Sequence, residues 1–419
     1  MDLSSPTPHV PAPAGVRRGL FLAVVGPGLV VMLADTDAGS VITAAQSGAR
    51  WGYKLLLLQV LLIPILYMVQ ELTVRLGLVT GRGHGELIRE RFGRGWAWLS
   101  VSTLVLACLG ALVSELSGMA GVGLLYGVPT WLTMLLTIAL ILTVVWTGSY
   151  RSVERIAILF GAFELAFLWV AWRAHPDPAR LVDGLTRIPL GDPQYLYLAA
   201  ANVGAVIMPW MVFYQQSAVV DKGLGREQLH AARLDTAIGA VITQIIMAAV
   251  LVAAAATIGR TRPDTPLDTV QQIATALTPF LGADAGRAVF AVGMSGAALV
   301  ATLVVTLAAA WGLGEVTGYR RSLENQPREA PWFYGTFSAA LIAAALVVAS
   351  GVNLVDLSVA VEVMNALLLP VVLGFLFLLA CKALPDPYRL RGAYAWITGA
   401  VILATAGFGV YAGLSGALG

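Results

Sequence analysis

Apolar segments of roughly membrane-spanning length recur from near the N-terminus to the end of this 419-residue chain. They fall near 21–48, 54–77, 97–125, 130–147, 153–173, 194–219, 234–258, 286–315, 332–351, 354–381 and 393–416. Most of these eleven segments hold the roughly 20 residues that a helix needs to cross a hydrocarbon core. A single soluble core cannot hide so much apolar surface: 58% of the residues are apolar and 12% are charged, against about 25% charged in a typical soluble domain. The runs are continuous rather than alternating, which argues against a transmembrane β-barrel. The sequence therefore predicts an all-α polytopic membrane protein with the lipid bilayer as its constant partner. Lys and Arg total 26 and Asp and Glu 24, which leaves no strongly basic face for nucleic acid. No Gly-Lys-Ser/Thr loop is present, so no nucleotide partner is expected. Cys108 and Cys381 lie inside apolar runs and read as small core residues. Nothing in the sequence speaks to oligomeric state.

Residues 1–18 read as a disordered tail, with Pro6, Pro8, Pro11 and Pro13 close together and Arg17 and Arg18 at its end. An export signal is the competing reading, and it lacks an obvious small-residue cleavage site. Residues 19–416 read as one transmembrane domain. Its expected parts are a first repeat over about 21–173, a second over about 194–381 and an extra helix over about 393–416. If the N-terminus is cytoplasmic, eighteen Lys and Arg fall in inside connections and seven in outside ones, with Arg287 at the start of a span left out. That asymmetry predicts a multi-pass protein of the cell inner membrane with the N-terminus in and the C-terminus out.

Two segments carry breaks. The first runs through Asp35, Thr36, Asp37, Ala38, Gly39 and Ser40, and carboxylates at bilayer depth cost several kcal/mol unless they face a partner or a cavity. Gly39 is expected to let the chain leave helical geometry there; the alternative is a mere kink in a packed helix. The sixth runs through Ala205, Val206, Ile207, Met208, Pro209 and Trp210. Pro209 lacks an amide hydrogen, so the helix should break and free the Ala205 carbonyl. Interrupted spans at corresponding positions, five spans apart, are the pattern of two inverted five-span repeats with a substrate site at the midplane.

These residues resemble the Nramp family of proton-coupled divalent-metal transporters. The resemblance covers most of the chain and is densest over 26–92 and 196–222. The family's Asp-Pro-Gly-Asn reads here as Asp37-Ala38-Gly39-Ser40, and its Ala-x-x-Met-Pro-His-Asn reads as Ala205 through Met208-Pro209-Trp210-Met211. Gly52-Tyr53-Lys54, Val74-Arg75-Leu76-Gly77, Thr80-Gly81 and Glu86-Leu87 with Arg89-Glu90-Arg91 are also similar. The resemblance implies a LeuT-like fold with an eleventh helix, no enzyme activity and no cofactor, the divalent metal being the transported substrate. It also implies a metal site of Asp37, Ser40 in place of the family Asn, the Ala205 carbonyl, the Met208 sulfur and, from the tenth span, Glu362.

The chain departs from the family pattern at informative places. Trp210 and Gln215 stand where the family has sixth-span histidines linked to proton handling. Neither titrates near neutral pH, so proton coupling is not carried over. The thioether of Met208 favours ions such as Mn²⁺, Fe²⁺ or Cd²⁺, whereas Glu362 and Ser40 pull toward oxygen-preferring ions such as Mg²⁺. Asp35 points away from Asp37 on a regular helix, toward a vestibule or a packing partner. Glu71, Glu115 and Glu164 are candidate proton relays or neutral buried acids, and Asp221, Arg233 and Asp235 are expected to form structural or gating ion pairs. His9, His84, His175 and His230 fall in the tail or in connections, with no span-embedded role. The competing functions are a LeuT-fold carrier of an organic solute, and an intramembrane enzyme, which would need a histidine inside a span.

Overall fold

The apolar runs become helices because a backbone in lipid must satisfy its own hydrogen bonds. The computed structural model describes residues 26–146, 149–261, 267–351 and 353–418; the expected tail and Arg17-Arg18 lie outside these. In chain order the helices are α1 (Pro27–Asp35), α2 (Ala38–Trp51), α3 (Leu56–Thr80), α4 (His84–Phe92), α5 (Arg94–Leu125) and α6 (Thr130–Val145). Then come α7 (Tyr150–Ala162), α8 (Leu165–Arg173), α9 (Pro178–Thr186), α10 (Pro193–Val206), α11 (Pro209–Asp221) and α12 (Leu229–Ala256). The last are α13 (Ile258–Thr261), α14 (Val270–Leu277), α15 (Ala283–Thr317), α16 (Pro331–Ala349), α17 (Leu354–Lys382) and α18 (Gly392–Leu418).

Among the described residues, nine helical stretches are long and apolar enough to cross a membrane, and α1 with α2 forms a tenth span bent by 46°. The eleventh expected span is α6, apolar but only 16 residues long. Exposed tryptophans mark the span ends: Trp96, Trp98, Trp332 and Trp396 near the starts of α5, α16 and α18, and Trp131, Trp146 and Trp172 at the ends of α6 and α8. Indoles at this level are the usual anchors of a membrane protein at the headgroup boundary.

The broken spans are the most enclosed. The sixth, α10 with α11, is almost wholly buried, while α16 and α18 leave most of their surface to lipid. α10 packs on α17 and α18, α12 packs on α2, and α15 lies along α5. At the crossing of α10 and α17, a Cβ on Gly204 would fall onto the main-chain carbonyl oxygen of Glu362. Only glycine permits that approach, and it sets the depth at which Glu362 faces the first span. Gly204→Val is expected to lower the unfolding temperature in detergent by the equivalent of about 1–3 kcal/mol of overpacking. Gly407→Val, where nothing lies within reach of a Cβ, should leave it nearly unchanged; scanning fluorimetry of both variants is the check.

Candidate metal site between two broken helices

The break in the first span is made by side chains that take backbone amides away from the helix. Asp37 is extended (φ −76°, ψ 175°) and caps α2, its Oδ1 accepting from the Ser40 amide at 2.6 Å. The Ala38 amide donates to Glu115 Oε2 on α5 at 2.9 Å. In an unbroken helix those two amides would bond the carbonyls of Thr36 and Ala34, which lose that partner here. The break therefore falls at Thr36–Asp37, earlier than the expected position at Gly39. Gly39 is helical, and what matters is its missing Cβ: one there would meet Glu362 Oε1 and Ser114 Oγ.

The sixth span breaks as Pro209 requires. α10 ends at Val206, Met208 is extended (φ −87°, ψ 139°) and Pro209 opens α11. Residue 209 offers no amide hydrogen to the Ala205 carbonyl, and the Ser40 hydroxyl donates to that oxygen instead, at 3.1 Å. One hydrogen bond thus joins the two breaks. The Met208 sulfur accepts the indole N–H of Trp210 at 3.1 Å. Glu362 Oε2 accepts from Asn365 Nδ2 at 3.1 Å, and Oε1 sits beside Gly39 without a partner.

Asp37, Ser40, Ala205, Met208 and Glu362 are all closed off from solvent. Asp37 Oδ2, Glu115 Oε1, Ser114 Oγ and Glu362 Oε1 are buried without a hydrogen-bond partner. Bare carboxylate oxygens in such surroundings call for a cation or a proton. Among the described residues no three His, Cys, Asp or Glu side chains converge as a metal cluster. A metal ion here would need a mixed set of carboxylate, hydroxyl, carbonyl and thioether donors.

Several side chains are placed differently from the sequence expectation. Glu71 is not isolated: it pairs with Arg75 at 2.5 Å and with Arg233 at 2.7 Å. Asp235 forms no ion pair among the described residues; it accepts the amides of Gly28 at 2.9 Å, Leu29 at 3.3 Å and Gly26 at 3.4 Å, and so caps α1. Asp221 accepts the Leu323 amide at 3.2 Å. Asp35 takes one of its two expected placements, against a packing partner: Thr243 and Gln244 of α12 approach its Oδ2. Gln215 donates to Thr236 Oγ1 at 2.9 Å.

His84 departs most. It starts α4 fully buried, with Nδ1 3.1 Å from Gln216 Oε1 and its ring edge-on to Phe213. Nearby, Glu315 on α15 accepts the Ser217 hydroxyl at 2.5 Å and the Gly85 amide at 2.8 Å. These contacts clamp the short amphipathic α4 onto α11 and α15. Sequence reasoning also missed Asn202, whose amide bonds Ser47 Oγ at 2.8 Å and accepts from Gln59 Nε2 at 2.6 Å. The available signal was two amide side chains inside apolar runs.

A multi-pass helical membrane protein with two interrupted helices that meet at their breaks is the class that this fold and site define. Solved structures agree on the fold. A manganese transporter from Eremococcus coleocola, in complex with an aromatic bis-isothiourea compound, superposes with a TM-score of 0.76 at 19% identity, covering 98% of this chain and 90% of that one. MhsT in complex with L-phenylalanine gives 0.63 at 14%, covering 96% and 98%. The profile of the natural resistance-associated macrophage protein-like family, Nramp, matches residues 28–415, and the chain belongs to that family. Among relatives, the divalent metal cation transporter MntH of Brucella suis is 29% identical over 307 residues, covering 70% of this chain and 67% of that protein. MntH of Verminephrobacter eiseniae is 28% identical over 406 residues, covering 91% and 85%.

The environment of His84 gives a pH signature. Burial lowers its pKa to about 4, against about 6.5 in an unfolded chain. As pH falls through about 6.5 the unfolded chain binds a proton that the folded imidazole refuses, so stability drops until about pH 4. Unfolding temperatures measured from pH 7.5 to 4 should fall more steeply for wild type than for His84→Gln, and parallel curves would contradict this placement.

Proposed function

We propose that this chain is a secondary transporter that imports a divalent metal ion by alternating access. The ion is held between the two breaks by the Asp37 carboxylate, the Ser40 hydroxyl, the Ala205 carbonyl and the Met208 sulfur, with Glu362 joining from α17. The observation that carries this reading is the Ser40–Ala205 hydrogen bond across the two breaks, beside an Asp37 oxygen with no partner. Family membership and relatives named as divalent metal cation transporters support it. The thioether favours Mn²⁺-like or Fe²⁺-like ions over Ca²⁺. A second reading, Mg²⁺ as cargo, is favoured by one specific contact: the Trp210 indole N–H occupies the Met208 sulfur, leaving oxygen donors in the majority.

Closure on each side supports alternating access. On the Arg-rich face, Glu71–Arg233 joins α3 to α12, Lys222–Glu154 joins α11 to α7 at 2.7 Å, and Asp235 ties α12 to α1. On the opposite face the joins are uncharged: Gln46 Nε2 donates to the Leu267 carbonyl at 2.7 Å, and Gly48 lets α12 approach α2 at Leu251. The Lys and Arg asymmetry supports the Arg-rich face as cytoplasmic, with the N-terminus inside and the C-terminus outside an inner membrane. The helix order supports two five-span repeats, over about 21–173 and 194–381, followed by an extra helix. An organic-solute carrier has less support, since it leaves the pairing of Asp37 with Met208 without a purpose.

Calorimetric titration tests the site. Asp37→Ala should abolish binding of Mn²⁺ in a protein that stays monodisperse. Met208→Ala should weaken Mn²⁺ and Cd²⁺ more than Mg²⁺, because soft ions gain most from sulfur; equal losses for all three would make Met208 a packing residue. Near-normal uptake by Asp37→Ala in proteoliposomes would sink the assignment.

Coupling has its own test. Trp210 and Gln215 do not titrate in the physiological range, so metal uptake should proceed with little internal acidification. Proteoliposomes loaded with a pH dye and held at fixed potential provide the measurement. A stoichiometric, metal-dependent pH drop that disappears in Glu115→Gln or Glu362→Gln would show that a carboxylate relay replaces the histidines.

A further inference from the structure

Asp35 is used by neither the proposed metal site nor the closures. It is fully buried at the end of α1, makes no ion pair among the described residues, and its Oδ1 has no partner. Its Oδ2 is approached by the Thr243 hydroxyl and the Gln244 amide of α12, each at 3.4 Å. A carboxylate that holds hydrogen bonds through its charge draws donors to about 2.7–2.9 Å, so both contacts are stretched. The Thr36 and Thr243 hydroxyls lie 2.6 Å apart, which brings two more oxygens to the same spot. Gln244 Oε1 is buried and unpartnered. Gln244 Nε2 is the end that faces Asp35, so the open Oε1 is an acceptor that nothing among the described residues fills. The Thr36 and Ala34 carbonyls, deprived of the Ser40 and Ala38 amides, lie on the same turn of chain.

We propose that Asp35, Thr36, Thr243 and Gln244 form a second cation site, between the break in the first span and the seventh span, that binds a sodium ion. The donor set is all oxygen, and it has one carboxylate among neutral hydroxyl, amide and carbonyl groups, which balances a single positive charge. It contains no sulfur or imidazole to attract a transition metal. Glu164, buried where α7 gives way to α8, neighbours Thr36. A sodium ion here joins α1 to α12 beside the break that carries the proposed metal ligands, so metal turnover depends on sodium. The dependence on turnover rests on the transporter reading above; the binding does not.

The full chain in detergent, at constant ionic strength, should gain unfolding temperature saturably as N-methylglucamine chloride is exchanged for NaCl. Asp35→Asn and Thr243→Val should lose that gain, and Asp37→Asn should keep it. In proteoliposomes, replacing external sodium by N-methylglucamine should slow initial Mn²⁺ uptake at least tenfold. Identical unfolding curves for wild type in the two salts would overturn the site and make Asp35 a neutral acid, and a gain that survives both Asp35→Asn and Thr243→Val would place the ion elsewhere. Sodium-dependent stability with sodium-indifferent uptake would overturn the link to turnover. Failure of Mn²⁺ uptake under every condition, with the stability gain intact, would count against the transporter reading alone.

Discussion

Two amides withdrawn from a helix underlie the whole arrangement. Because Ser40 N–H is taken by the Asp37 carboxylate and Ala38 N–H by Glu115, the first span cannot run straight through. The chain restarts as α2 at an angle, and carbonyl oxygens are released at bilayer depth. Pro209 achieves the same release in the sixth span without any side-chain help, by having no amide hydrogen to give. One break is thus made by competition for donors and the other by the absence of one, and the Ser40 hydroxyl meets the Ala205 carbonyl where they face each other. Gly204 and Gly39 then let α17 come close enough for Glu362 to stand beside the pair.

The two faces are closed by different physics. The Arg-rich face is joined by ion pairs and by carboxylates accepting backbone amides, among them Glu71 with Arg233, Lys222 with Glu154, and Glu315 with Gly85. Their carboxylates are largely buried, so these pairs separate cheaply only where water reaches the freed charges. The opposite face is joined by amide side chains and glycine-mediated helix contact, where separation exposes buried carbonyls and apolar surface. Opening the two faces therefore makes unequal demands on the protein.

Much of this was legible in the sequence, and for identifiable reasons. Span order followed from apolar runs that only helices can satisfy in lipid; among the described residues ten of the eleven expected spans are long enough to cross a membrane, and α6 is short. The sixth-span break followed from Pro209, whose consequence is local and steric. The first-span break was located two residues late, because Gly39 signals conformational freedom while the actual cause, Glu115 reaching across from α5, is a tertiary contact that no local pattern reveals. The same limit explains His84 and Asp235. A histidine in a connection gives no sign of burial, and that of His84 depends on α4 folding back against α11 and α15. An aspartate near Arg233 reads as half of an ion pair, and its role as a cap for α1 depends on the packing of two helices some two hundred residues apart. Glu71 was misread for a similar reason: Arg75 lies one turn away in sequence, but Arg233 arrives through the fold.

The bond between Ser40 and Ala205 also bears on kinetics. Any carrier must complete half of each cycle without its cargo, and burying bare ligands on that leg would raise the barrier for the whole cycle. If the ion sits where we propose, Ser40 and Ala205 bond one another when it departs and remove part of that penalty. Trp210, by giving its indole hydrogen to the Met208 sulfur, does the same for the thioether. A protein built this way should reset quickly, so that reorientation of the unloaded form need not be the slow step, and flux should be limited instead by the loading and release of the ion.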